Sequence, residues 1–223
     1  MSKNTDQSQL ALWRALNTAS ASLQKAARSE TAVFQAFDRQ LQKLNLHGLV
    51  AMLASDSSQL ITHHFIFPQS QAKEADLLLD ELGFPTGSSE DWFTHAPVFQ
   101  QLFASGEAIF VANNTELLRS TLTPAEWQVV LAKGRPFYNL PAVLLPIFIN
   151  GQTTGVLYLA GPELHETALP ALTVFGQHLS IALENARLYQ RAHRAEHRFR
   201  RLFNNAADGI VLVVVLPFVR SDA

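Results

Sequence analysis

The densest chemical spacing in the 223-residue chain is His193-Arg194-Ala195-Glu196-His197. On a helix it sets two imidazoles one turn apart with a carboxylate nearby, the H-x-x-E-H pattern by which some zinc hydrolases hold their metal. Such a site also needs a third protein ligand and a dry, walled cleft. Here Arg187, Arg191, Arg194, Arg198, Arg200 and Arg201 surround it, and their charge opposes a divalent cation. The spacing therefore reads as a solvated helix face, and no metal is assigned to it. The same arginines could face a phosphate backbone. Yet Ile181, Leu188, Ala195 and Leu202 recur every seven residues, and Asn185, Ala192 and Phe199 form the matching second stripe. That is a coiled-coil seam with the arginines on its flanks, and Glu196 can pair with Arg200 one turn on. These positions predict a homodimer and no nucleic-acid partner.

A second group lies further upstream. His63 and His64 are adjacent on a predicted strand and are expected to face opposite ways. His63 shares its parity with Ile61, Phe65 and Phe67, so it is expected to point into the core. There an imidazole can ligate haem, bind a small molecule, or simply hydrogen-bond as a core histidine. Aromatic residues cluster in the middle of the chain, among them Trp92, Phe93, Phe99, Phe103, Trp127, Phe137 and Tyr138. They either fill the core or line a pocket for a small, mostly apolar or planar ligand. The candidate ligand-binding residues are therefore His63, Phe65, Trp92, Phe93, Phe99, Phe103, Trp127 and Tyr138. Asp80-Glu81 and Glu90-Asp91 are sequence neighbours whose side chains diverge, so they imply no acid/base pair. The chain has no cysteine, which excludes disulfides, thiolate zinc sites, cysteine nucleophiles and a thioether-linked bilin. No catalytic residue emerges, and the expectation is a protein that is not an enzyme, with any cofactor unassigned.

The elements that must position these residues follow from periodicity. Leu10, Trp13, Leu16, Ala19 or Ser20, and Leu23 make one helical stripe over 8–27. Ser29 opens a second helix with Glu30 in its first turn, and Val33, Phe34, Phe37, Leu41 and Leu44 form its buried face. Gly48 is read as the end of the helical region. Residues 49–54 and 59–67 then form a hairpin across Ser55, Asp56, Ser57 and Ser58. Residues 68–91 read as irregular or loosely helical, with Pro68, Gly83, Pro85 and Gly87 as breakers. A short helix over 97–103 and a strand over 108–111 follow, then interrupted helix over 115–132 with Thr123 capping it before Pro124. Residues 142–149 and 153–160 make the clearest hairpin, closed by Asn150-Gly151. One long helix runs from Thr167 to about Phe203, broken near its start by Pro170. The fold class is α+β: a central antiparallel sheet of five or six strands, terminal helices on one face and an irregular helical insert on the other.

Two stretches give this order a family resemblance. One runs Leu144-Leu145-Pro146-Ile147-Phe148-Ile149-Asn150-Gly151 into Thr154-Gly155-Val156-Leu157-Tyr158-Leu159. The other runs Phe175-Gly176-Gln177-His178-Leu179 into Ile181-Ala182-Leu183-Glu184-Asn185-Ala186-Arg187-Leu188-Tyr189. Together they resemble a GAF domain over roughly residues 15–190, of the kind found in bacterial sensor proteins of the histidine-kinase type. The resemblance implies a sensory input domain that relays ligand state through dimeric terminal helices. The family's thioether bilin binders and free-methionine-sulfoxide reductases work through cysteines, which this chain lacks. The N-K…F-x-x-x-D-E signature of its cyclic-nucleotide binders is not found here. What remains is a sensor of an unidentified small molecule or, alternatively, a ligand-free structural dimerisation and relay module.

The chain is accordingly divided into a helical extension over 1–14, a GAF-like sensory domain over 15–180, a coiled-coil signalling helix over 181–203 and a last segment over 204–223. Phe199-Arg200-Arg201-Leu202-Phe203-Asn204-Asn205-Ala206-Ala207-Asp208-Gly209-Ile210-Val211-Leu212-Val213 is similar to the opening of a PAS domain, which would need about a hundred residues more. That segment is expected to be a truncated start, and its apolar stretch from Ile210 to Val219 to dock or pair. The output domain or kinase is expected to lie outside this chain. Residues 1–9 lack the order of a signal peptide, and the 210–219 stretch is about half a membrane span. A cytoplasmic protein with no membrane span is expected. The formal net charge of −2 gives no general attraction to polyanions.

Overall fold

Two hairpins and one short edge strand build the sheet. β1 (His47–Leu53) and β2 (Leu60–Ile66) form the first hairpin, and β4 (Ala142–Ile149) and β5 (Gln152–Ala160) the second. β3 (Ile109–Val111) pairs with β4. The computed structural model describes residues 2–54, 59–84 and 96–206, with 2–12, 202 and 204–206 described by backbone alone. Its five-stranded sheet has the order β2-β1-β5-β4-β3, antiparallel throughout. The β4–β5 turn closes on Asn150 and Gly151 with φ of 53° and 73°, the positive pair that matches strand twist in a two-residue hairpin.

Three helices cover one face: α1 (Ser2–Ala26), α2 (Glu30–Lys43) and α7 (Leu169–Ala206). Alternate residues of the central strands, including Val50, Met52, Val143, Leu145, Leu157 and Leu159, meet Leu23, Phe37, Phe175 and Leu179 there. Phe37 and Phe175 stack with centroids 5.8 Å apart. Each such side chain stabilises the fold by roughly 1.5–3 kcal/mol when fully buried. Among the described residues, four shorter α-helices cover the other face: α3 (Ala72–Leu82), α4 (Pro97–Ser105), α5 (Thr115–Thr121) and α6 (Pro124–Lys133). Leu49, Ala51, Leu60, Leu144 and Val156 pack there against Phe99 and Leu102.

Local chemistry sets the helix ends. The Ala32 N–H donates to Ser29 Oγ at 3.1 Å, and Thr123 and Glu126 form a reciprocal capping box behind Pro124, satisfying donors the helix itself leaves open. Four readings are corrected. Gly48 does not end a helix; it lies inside β1, where an added Cβ would sit 2.8 Å from Leu41 Cδ1. Residues 72–82 form a regular helix, because Pro68 precedes it and Gly83, at φ 70°, ends it. The breakers bound the element instead of interrupting it. Pro170 does not break α7 but occupies its first turn, where no backbone donor is required. Trp13 is 45% exposed, off the stripe of Leu16, Ala19, Ser20 and Leu23 that α1 buries.

Gly155 shows how tightly β1 and β5 approach. A Cβ there would lie 2.5 Å from Met52 Sδ and 2.6 Å from the Ala51 carbonyl oxygen, and the backbone atom cannot rotate away. Gly155→Ala should cost about 1–3 kcal/mol of unfolding free energy, read as a lower midpoint in urea with an unchanged slope.

Candidate functional site

Between the sheet and the short helices lies a cavity of about 120 Å³. Leu49, Phe65 and Tyr158 come from the sheet; Leu78, Phe99 and Val130 come from α3, α4 and α6. The walls are almost wholly apolar, with His47, Thr121 and Tyr158 as the polar side chains among the lining residues. His47 is buried at 6% exposure and meets Phe137 edge-on at 5.2 Å. Burial lowers its pKa to about 4, against a weaker opposing effect of the Gln71 side chain, so its imidazole is neutral at physiological pH. Gln71 Oε1 is itself buried without a hydrogen bond.

A hydrogen-bonded girder fixes Tyr158. Asn114, fully buried, accepts from the Leu140 N–H on Oδ1 at 3.0 Å. Its Nδ2 donates to the Phe137 carbonyl at 2.9 Å and to the Tyr158 hydroxyl oxygen at 2.6 Å. Burial raises the Tyr158 pKa well above the phenol range, and the Asn114 bond only partly offsets this. The phenol therefore stays protonated.

Of the residues expected to bind a ligand, Phe65 and Phe99 line this cavity. Phe103 packs in the adjoining cluster, and Trp127 and Tyr138 pair edge-on at 6.0 Å in the cluster joining α3 and α6. Trp92 and Phe93 fall outside the described residues. His63 is corrected: it is exposed and does not point into the core. The ladder pairs Val50 with His64 and Ala51 with Thr62, skipping His63. The bulge breaks the alternation, and both imidazoles stack on Phe34 of α2, at 6.3 Å and 5.7 Å. His64 Nε2 lies 2.7 Å and 2.6 Å from the two Asp38 oxygens. Nearby, Arg187 Nε of α7 donates to Glu30 Oε1 of α2.

The seam residues occupy the far part of α7. Ile181, Leu188 and Phe199 are 48%, 52% and 63% exposed. Asn185, Ala192 and Ala195 are exposed as well, and the Leu202 side chain lies outside the described residues. His193 and His197 touch through their Nε2 atoms at 3.1 Å, while Arg200 donates to Glu196 at 2.6 Å. Among the described residues no group of three or more histidine, aspartate or glutamate side chains is placed to hold a metal.

His47, Asn114 and Tyr158 were missed by sequence reasoning. Tyr158 shares the parity of Val156 on β5 and could have been found from it. Asn114 gives no local signal, since its partners lie 23 to 44 residues further on.

No family model matches the sequence, and no curated protein matches it. Solved structures do match in fold. A methyl-accepting chemotaxis protein fragment, residues 122 to 287, is 14% identical with a TM-score of 0.53, over 78% of this chain and 99% of that one. The free methionine-R-sulfoxide reductase of Neisseria meningitidis, in complex with its substrate, is 16% identical with a TM-score of 0.53, over 84% of this chain and 95% of that one. The GAF domain of a two-component sensor histidine kinase from Bacillus halodurans is 16% identical with a TM-score of 0.48, over 73% and 99%. The fold is GAF-like, and identities this low speak for fold alone. The second match corrects the expectation of a non-enzyme: the fold also serves an enzyme, so it gives no ground for setting catalysis aside, and it assigns none.

The His47 imidazole makes stability depend on pH. It titrates near 4 when folded and near 6.5 when unfolded, so between those values the unfolded chain binds more protons. Its contribution is complete above the upper value and is lost as pH falls through the lower one. His47→Gln should flatten the unfolding free energy between pH 6.5 and 4, by up to roughly 3 kcal/mol. Denaturant titrations of both proteins across that range provide the check.

Proposed function

We propose that this GAF-like domain is a sensory input module of a signal-transduction protein, binding a small molecule in the cavity and relaying its presence through α7. The observation that carries this reading is the position of the cavity. It opens on one face of β1 and β5, whose other face packs against α1, α2 and α7. The chemotaxis-protein fragment of the same fold is in keeping with such a role. On this reading residues 15–180 sense and 181–203 transmit to an output domain or kinase, with 1–14 as a helical extension. The PAS-like stretch belongs to α7 as far as residue 206 and lies outside the described residues from 207 on, as does the apolar 210–219 stretch. No described helix is long and apolar enough to cross a membrane.

The proposed partner at α7 is a second copy of the chain. Ile181, Leu188 and Phe199 are large apolar side chains left exposed at heptad spacing, and arginines flank them as they flank coiled-coil seams. Trp13 of α1, also exposed, can join a four-helix bundle at the dimer axis. The second reading, a ligand-free dimerisation and relay module, draws on the cavity's small size of about 120 Å³, below the usual range for ligand pockets.

Native mass spectrometry of protein purified without denaturation separates the two readings. Added mass on a dimer supports sensing, and a bare dimer supports the relay. A bare monomer at micromolar concentration sinks both. Leu188→Glu should weaken the dimer at least tenfold by sedimentation equilibrium while the unfolding midpoint of the core stays within a few degrees. A variant that stays dimeric with unchanged affinity would remove α7 from the interface.

A further inference from the structure

The cavity's hydrogen-bond inventory narrows its ligand beyond the proposed function, and the narrowing rests on that reading of the cavity. The orientation of the Asn114 amide is fixed at both ends: Oδ1 accepts from the Leu140 N–H, and Nδ2 donates to the Phe137 carbonyl. Nδ2 is therefore also the donor to Tyr158, at 2.6 Å. A phenol has one proton and accepts through its oxygen. The Tyr158 oxygen is occupied as an acceptor, and its own O–H has no acceptor among the described residues. A neutral phenol held in place at an apolar wall, with its proton uncommitted, is a donor for something placed in the cavity.

The rest of the lining limits what that is. Among the described lining residues there is no lysine, arginine, aspartate or glutamate, and His47 is neutral. An ionised ligand would lose its hydration without a counter-charge, at a cost of several kcal/mol or more. A volume of about 120 Å³ is near that of an apolar cavity that accepts a benzene-sized guest, about 150 Å³. We propose that the cavity takes a neutral, ring-sized, mostly apolar molecule carrying one hydrogen-bond acceptor, and that the Tyr158 hydroxyl donates to that acceptor.

The test uses three probes on the full chain by calorimetry: acetophenone, its alkene isostere α-methylstyrene, and benzoate. Acetophenone should bind about 3- to 10-fold more tightly than α-methylstyrene, the gain of one neutral hydrogen bond, and benzoate more weakly than either. Tyr158→Phe should abolish the preference for acetophenone and leave α-methylstyrene affinity within about twofold, which also shows that the cavity is intact. On the unmodified chain the infrared carbonyl band of bound acetophenone should shift to lower frequency than in hexane, a readout that does not depend on the variant folding. The proposal is overturned if the two isosteres bind equally, if the preference survives Tyr158→Phe, if the carbonyl band is unshifted, or if benzoate binds as tightly as acetophenone. In each of those cases α-methylstyrene binding keeps the cavity as a ligand site, and only its assigned chemistry falls. If none of the three binds up to its solubility limit, the sensory reading of the cavity falls with it.

Discussion

A β-strand has two faces, and in β1, β4 and β5 both are buried. Everything else in this chain is arranged around that constraint. Leu145 and Leu157 face the terminal helices, while their neighbours Leu144 and Val156 face the insert. Neither side can be left to water, because a sheet with two apolar faces needs two covering layers. The terminal helices cover one face in a long continuous pack. The described residues of the insert cover the other with short helices, and short helices meeting a twisted surface leave the gap that becomes the cavity. The strands therefore read as nearly continuous apolar runs, unlike the alternating pattern of a half-exposed antiparallel sheet.

The tie between sheet and α7 is more specific than apolar packing. At the end of β4 the ladder skips Thr154, pairing Ile147 with Gly155 and Phe148 with Thr153. The Phe148 N–H donates to Ser180 Oγ at 3.1 Å, and that hydroxyl donates to the Gly176 carbonyl one turn back. At the hairpin tip, the Asn150 N–H donates to Glu184 Oε1 at 3.1 Å. Arg187, one turn further on, binds Glu30 of α2. So Glu184 and Arg187 of the A-L-E-N-A-R-L-Y stretch clamp α7 to the second hairpin and to α2, while Ala182, Leu183 and Ala186 fill the core. Ala186 is the last fully buried side chain of α7; from Leu188 and Tyr189 onward most of its described side chains are exposed.

Most of the architecture could be read from the residues because strong local signals agreed. Asn150-Gly151 between two apolar runs, the Thr123-Pro124 helix start and the spacing of the α2 face each fix an element by nearby chemistry. The reading failed where distance or a one-residue irregularity decides. Gly48 looks like a helix stop, but its role is set by Leu41 and Ile66 pressing on the strand. His63 obeys the alternation rule until the bulge opposite Val50 and Ala51 shifts the register. That is a property of two strands together and leaves no mark on either alone. The candidate site suffered most. Aromatic residues announced an apolar enclosure, and Phe65 and Phe99 do line it. Two of its polar side chains, His47 and Tyr158, sit on strands whose apolar character concealed them. Asn114 becomes meaningful only when α5, the 137–140 loop and β5 are brought together.

The same two-faced geometry is what the proposed relay from the cavity would use. Tyr158 faces the insert, and its neighbours Leu157 and Leu159 on the same strand face the helices. On the proposed relay, a movement of β5 on one side would also be a movement on the other. Gly176 removes most of the remaining slack: a Cβ there would sit 3.2 Å from Leu145 Cβ, so α7 rides almost directly on the backbone of β4. Densely packed interfaces of this kind do not deform gradually; they shift as bodies between discrete arrangements. On the proposed relay, a helix clamped at Ser180, Glu184 and Arg187 would follow the hairpin as a rigid lever, with the exposed seam residues Ile181 and Asn185 on the same turns as the clamps and Leu188 just beyond them. For a ligand to exploit this, it must bind the two arrangements with different affinity. A directional hydrogen bond from a strand residue can supply that difference, since a fraction of an ångström of strand displacement weakens it, whereas apolar contacts with mobile side chains adjust.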